Sequence, residues 1–176
     1  YSSTLETRLR YTPTDSFETF PFPNIQSVAI EKSLHAEGQN YNKHRKQLLV
    51  SLQLGLTKLY NLFHAQDLQH DINPDEIISS SKSAIEKLYG KEALFLWYHL
   101  QKTNNNISFK KALEEIISLR NLHVTMDIEV MKAYGWEDIE LKHDFYEVDY
   151  LPENDRIRFT IHPDARKELL KRLLEL

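Results

Sequence analysis

From Ser108 to Gly135 the sequence specifies a long helix more firmly than it specifies anything else. Ser108 can cap the first turn, accepting from amide groups that have no partner inside the helix. Leu113, Ile116, Ile117, Val124, Met131 and Tyr134 then recur at helical steps on or near one face. At the far end Gly135 can take the left-handed terminal conformation, and Trp136 can fold back on the last turn.

Other helical patterns surround it. Ile25, Val28 and Ala29 begin one, with Gly38 a candidate break. From Tyr41 onward, Leu48, Leu52, Leu56, Leu59 and Phe63 make one apolar stripe, which predicts a single amphipathic helix ending near His64. Further on, Asn73 can cap, Pro74 suits a first helical position, Asp75 and Glu76 complement the dipole, and Gly90 ends the helix. Residues 91–100 predict another short helix, and the polar residues 102–106 a loop. Pro163 opens a last helix carrying Leu169, Leu170, Leu173 and Leu174. Alternation predicts strands only at residues 5–11 and 156–161, the second after a loop with Asp149, Pro152, Asn154 and Asp155. The expected fold is mainly α: a helical bundle-like domain with a few short peripheral strands.

The composition agrees. A chain of 176 residues, 41% hydrophobic and 27% charged with four glycines, is helix-rich and long enough to bury a core. The absence of cysteine excludes disulfides, thiolate metal sites and a cysteine nucleophile, and fits a reducing, cytoplasmic compartment. No apolar run nears the about 20 residues of a membrane span, and no signal peptide is visible. The chain starts with Tyr1 and its last helix has no cap, so it is expected to be a piece of something longer.

The net charge of −4 argues against a free-standing nucleic-acid binder. Basic residues do cluster locally: Lys43, Arg45 and Lys46 beside His44, and Arg8 and Arg10 around Leu9. These five are the candidate DNA-phosphate contacts. For catalysis the sequence offers little. It has no Gly-x-Gly-x-x-Gly, no Walker loop, no Asn-Pro-Pro-Tyr and no His-Glu-x-x-His, and His64 and His70 stand six apart. Asp164 and Glu168 lie one turn apart on a helix rather than on the strand a nuclease site wants. No catalytic or metal-ligating residue is assigned. Arg120, His123 and Asp127 form the one polar cluster at helical spacing. It would be either a site, with Arg120 on a phosphate or Asp127 as a base, or a structural ion pair with a helix-to-helix hydrogen bond from His123. The second is the favoured reading, since helix packing commonly uses such spacing.

Before the first helix stands Phe20-Pro21-Phe22-Pro23. Each proline fixes its own φ and holds the preceding residue extended, so with Phe17 the segment is an apolar strap that cannot be helix.

Four stretches, in order, resemble one family. They are "RYTPTDSFETFPFP" at residues 10–23, "GLTKLYNLFH" at 55–64, "LRNLHVTMDIEVMKAYGW" at 119–136 and "RFTIHPDARKELLKRLLEL" at 158–176. Together they are similar to the C-terminal region of type IIG-like restriction–modification DNA adenine methyltransferases and the related methylase subunits of phage-defence systems. The resemblance implies that residues 1–23 end the target-recognition domain and that residues 24–176 form a C-terminal helical domain. It implies an S-adenosylmethionine pocket and a catalytic loop upstream, outside this chain, with no cofactor held here. The implied partners are the rest of the parent methyltransferase and double-stranded DNA, with no membrane. The alternative is a non-enzymatic helical adaptor binding protein partners through residues 48–63 or 169–174. An isolated metal-dependent hydrolase ranks third.

Overall fold

A computed structural model describes residues 18, 20–68, 82–103 and 107–176. The element order is α1 (Val28–Leu52), α2 (Leu56–Phe63), α3 (Lys82–Lys102), α4 (Phe109–Tyr134), β1 (Asp144–Glu147), a 3-10 turn (Glu153–Asp155), β2 (Ile157–Thr160) and α5 (Pro163–Leu174). The fold is mainly α with one small antiparallel hairpin, as composition and periodicity predict. The expected strand at residues 5–11 and the helix start at Asn73 and Pro74 lie outside the described residues.

The helix α4 is the spine. Ser108 Oγ accepts from Lys111 N–H at 3.2 Å, and Gly135 closes the other end at φ 69. Trp136 N–H returns to Met131 C=O at 2.9 Å, as the terminal glycine predicts. The helices α1, α2 and α3 all pack on α4, with α1 along the largest part of it. Leu52, Leu59, Leu62, Phe63, Ile85, Leu96, Leu113, Ile116 and Leu119 are the largest fully buried side chains at their junction. Burying such side chains contributes about 1.5–3 kcal/mol each before entropy is counted.

The single helix expected from Tyr41 to His64 is in fact two. Gln53 turns left-handed (φ 51), its N–H and that of Leu54 return to carbonyls of the last turn of α1, and Gly55 begins α2. The turn resets the helical phase. Leu54 becomes buried, while Leu56, on the stripe by periodicity, is 55% exposed. His99 then donates to the carbonyl of Leu52 at 2.8 Å, satisfying an end that α1 cannot close itself.

The glycines separate into two kinds. Gly38 does not break α1, and a Cβ built there meets nothing within 4 Å. Gly90 interrupts α3 at φ 79, as its place in the sequence predicts, and a Cβ there would collide with the Asp67 carboxylate. The hairpin pairs Asp144 with Thr160, Phe145 with Phe159, Tyr146 with Arg158 and Glu147 with Ile157. Its second strand falls within the expected 156–161, but β1 carries no clean alternation and was not expected.

Opposite outcomes follow for one substitution at two sites. Gly38→Ala is expected to stabilise the chain by about 0.5–1 kcal/mol, because the helical backbone is already compatible. Gly90→Ala is expected to destabilise it by about 2 kcal/mol or more, through positive φ and the clash with Asp67. Denaturant midpoints of the two variants check the pair.

Candidate functional site

The strap lands on a definite surface. Tyr134 OH donates to the carbonyl of Pro21 at 2.9 Å, and Phe20 packs edge-on to Phe22 with ring centroids 5.0 Å apart. Beside it, Phe20, Phe22, Met131, Trp136, Leu169 and Leu173 line an apolar groove of about 340 Å³. Trp136 stacks on Tyr134 at 4.5 Å, so the C-terminal turn of α4 supplies the floor of this contact. Extended backbone forced by two prolines, a turn closed by Gly135 and a helix opened by Pro163 therefore meet at one place.

The basic cluster divides. Lys43 and Lys46 are exposed on α1. Arg45 is half-buried: it donates to Asn42 Oδ1 at 3.1 Å and to Tyr60 OH at 3.5 Å, and sits 5.7 Å from the Tyr41 ring centre. Its charge is engaged in holding α1 to α2. His44 points the other way, toward the carbonyl of Glu115 on α4 at 3.1 Å. Arg8 and Arg10 lie outside the described residues.

The cluster on α4 also divides. Arg120 leaves the helix surface for the core and is 4% exposed. Its Nε donates to Phe63 O at 2.8 Å, Nη1 to Leu68 O at 2.5 Å, and Nη2 to Leu62 O and Ala65 O at 3.1 and 2.8 Å. The guanidinium lies 4.9 Å from the Phe145 ring centre and 5.7 Å from that of Phe159. Burial holds its pKa down to about 10. All four bonded partners are carbonyls at and beyond the end of α2, so Arg120 neither pairs with Asp127 nor presents itself to a phosphate.

Asp127 takes a partner that the spacing on α4 could not indicate. His143 Nε2 lies 2.8 Å from Asp127 Oδ2, whereas His123 Nε2 is 3.6 Å away and its Nδ1 is buried without a hydrogen bond. The His123 ring instead packs on Tyr41 and Phe63. His143 stands sixteen positions along in a turn, where no periodicity links it to Asp127. His64 completes the polar surroundings, accepting the N–H of Phe159 at Nδ1 (3.2 Å) and so tying β2 to the end of α2. Its pKa is lowered to about 4, chiefly by burial and then by the charges of Arg158, Arg120 and His123. Among the described residues no group of three or more His, Asp or Glu side chains is arranged to hold a metal ion, and no helix is long and apolar enough to cross a membrane.

No family model, curated protein or solved structure matches the chain.

Two outcomes test this arrangement. Arg120→Met is expected to cost about 3 kcal/mol or more, because four carbonyls lose their shared donor; urea unfolding measures it. The folded-state pKa of His64 lies below the ordinary 6.5, so the unfolded chain takes up the proton first. Stability is therefore whole above about pH 6.5 and falls as the pH drops toward 4. His64→Asn offers a side-chain oxygen to the same amide without titrating, and its melting temperature should vary less across that window.

Proposed function

We propose that the chain is the C-terminal helical module of a restriction–modification-type adenine methyltransferase, a platform that fixes the exit of the enzyme's target-recognition domain. The observation that carries this reading is the docked strap. A segment ending a DNA-reading domain must leave at a defined angle if bases and catalytic pocket are to stay in register. Phe20-Pro21-Phe22-Pro23, tied through Tyr134 and set beside Trp136, Leu169 and Leu173, has the stiffness for that. In the parent enzyme a target adenine would be flipped from the duplex and its exocyclic amine methylated from S-adenosylmethionine by upstream residues. Sequence would be read in the major groove by the recognition domain. Lys43 and Lys46 would add phosphate contacts, which position a protein without encoding sequence.

The adaptor reading is favoured by a different observation. The stripe from Leu48 to Phe63 is largely core, with Leu48, Leu52, Leu59 and Phe63 all buried. On α5, however, Leu170 and Leu174 are exposed, the second at 88%.

The full-length protein, given labelled S-adenosylmethionine and duplex DNA, is expected to place label on the exocyclic amine of adenine. Residues 1–176 alone are expected to transfer none. A folded full-length protein that transfers no methyl group to any duplex overturns the methyltransferase reading and leaves the adaptor. In the same protein, Lys43→Ala with Lys46→Ala should weaken binding to all DNA sequences alike. It should also flatten the dependence of log K on log salt by about one unit per lost contact. An unchanged slope would make these lysines a solvated helix face, and an altered methylation sequence would make them base readers.

A further inference from the structure

A second cleft, of about 630 Å³, lies between α4, the turn after it and β2. Its volume falls in the range of small-molecule sites, which combine apolar walls with a few convergent polar groups. The walls here are Val124, Ile128 and Met131 of α4, with Leu141 and Phe159 opposite. His143 completes them. Its side chain is only 6% exposed, and its Nε2 is committed to Asp127 Oδ2 at 2.8 Å. A carboxylate only accepts, so Nε2 carries a proton, and in the neutral ring Nδ1 keeps the lone pair.

Nδ1 has no hydrogen-bond partner among the described residues. It is the ring nitrogen of His143 left for a ligand, and His143 lines this cleft. The ring is held there by an unusual backbone. Lys142, a non-glycine residue, sits at φ 46, and its carbonyl accepts from Tyr146 OH at 2.8 Å. Residues fixed in this sparsely populated region cluster at binding and catalytic sites.

Charge narrows the ligand. Lys132 is bound to Glu129 at 2.5 Å and Lys142 to Glu140 at 2.9 Å, so the ammonium groups lining the cleft are already matched. What remains is a cleft with apolar walls and His143 set among them, with the side chains of Asn121 and Glu137 beside it. We infer that this cleft binds a small, largely apolar molecule bearing an N–H or O–H donor, of the indole or phenol type. His143 Nδ1 accepts from that donor, while Asp127 is a positioning residue that fixes the imidazole tautomer. The inference is independent of the methyltransferase reading.

Indole and 1-methylindole separate this site from general apolar absorption, since they differ in the donor and little in shape. Each is titrated into ¹⁵N-labelled chain 1–176, following backbone amides and the His143 ring nitrogens. Indole is expected to give saturable shifts centred on residues 124–131 and 141–143, to move the Nδ1 signal, and to bind about fivefold tighter than 1-methylindole, the effect of one hydrogen bond. Equal affinities, shifts scattered over the surface, or no saturation up to the solubility limit would each overturn the proposal. His143→Phe should abolish the difference between the two ligands, and a folded variant that still prefers indole also overturns it. If that variant does not fold, the ligand pair on the wild-type chain decides alone.

Discussion

A guanidinium buried beneath two aromatic rings holds the centre of this molecule together. With eight residues, α2 is far too short to be stable by itself, and its last carbonyls face the core rather than water. Arg120 reaches from α4 to those carbonyls with all three of its nitrogens. Desolvating the cation is costly, and its depressed pKa registers that cost. The negative end of the α2 dipole and the faces of Phe145 and Phe159 offset it. One side chain thus joins the spine, α2 and the hairpin. Without it, the carbonyls of Phe63 and Leu68 would lose the side-chain donor that ties this turn to α4.

The parts of this fold legible in the sequence are those governed by local rules. Ser108, Gly135 and Pro163 do what their conformational preferences dictate, and α4 runs as cap, stripe and terminal glycine require. Gly90 stops a helix because the chain there needs positive φ, while Gly38, chemically identical, sits inside one at modest cost. Periodicity was blind to the break at Gln53. Apolar steps of four continue across it on paper, and only the exposure of Leu56 reveals the lost phase. The strand β1 escaped notice because its burial follows its partner strand and Arg120 rather than strict alternation.

The polar cluster shows the same boundary between local and distant information. Steps of three and four place Arg120, His123 and Asp127 along one helix, yet each looks elsewhere. Arg120 turns to α2, His123 to Tyr41 and Phe63, and Asp127 to His143. The pairing of Asp127 with His143 depends on a left-handed Lys142 in the intervening turn, which nothing in the local sequence announces. The basic cluster dissolves for a related reason. Arg45, one helical turn after Tyr41, meets the Tyr41–Tyr60 pair, while Lys43 and Lys46 stay at the surface.

The docking of the strap also has an optical consequence. Of the two tryptophans in the chain, Trp97 lies on α3 and Trp136 at the landing point of the strap. Trp136 is stacked on Tyr134, whose hydroxyl holds Pro21, and Arg172 lies 5.9 Å from its ring centre. Release of the strap would change the polarity around this indole and its quenching by the stacked phenol and nearby guanidinium, while leaving Trp97 on its own helix. A chain with Trp97→Phe would therefore carry one tryptophan, at the landing point of the strap. Its emission and anisotropy would report, in real time and without a label, whether the strap is docked.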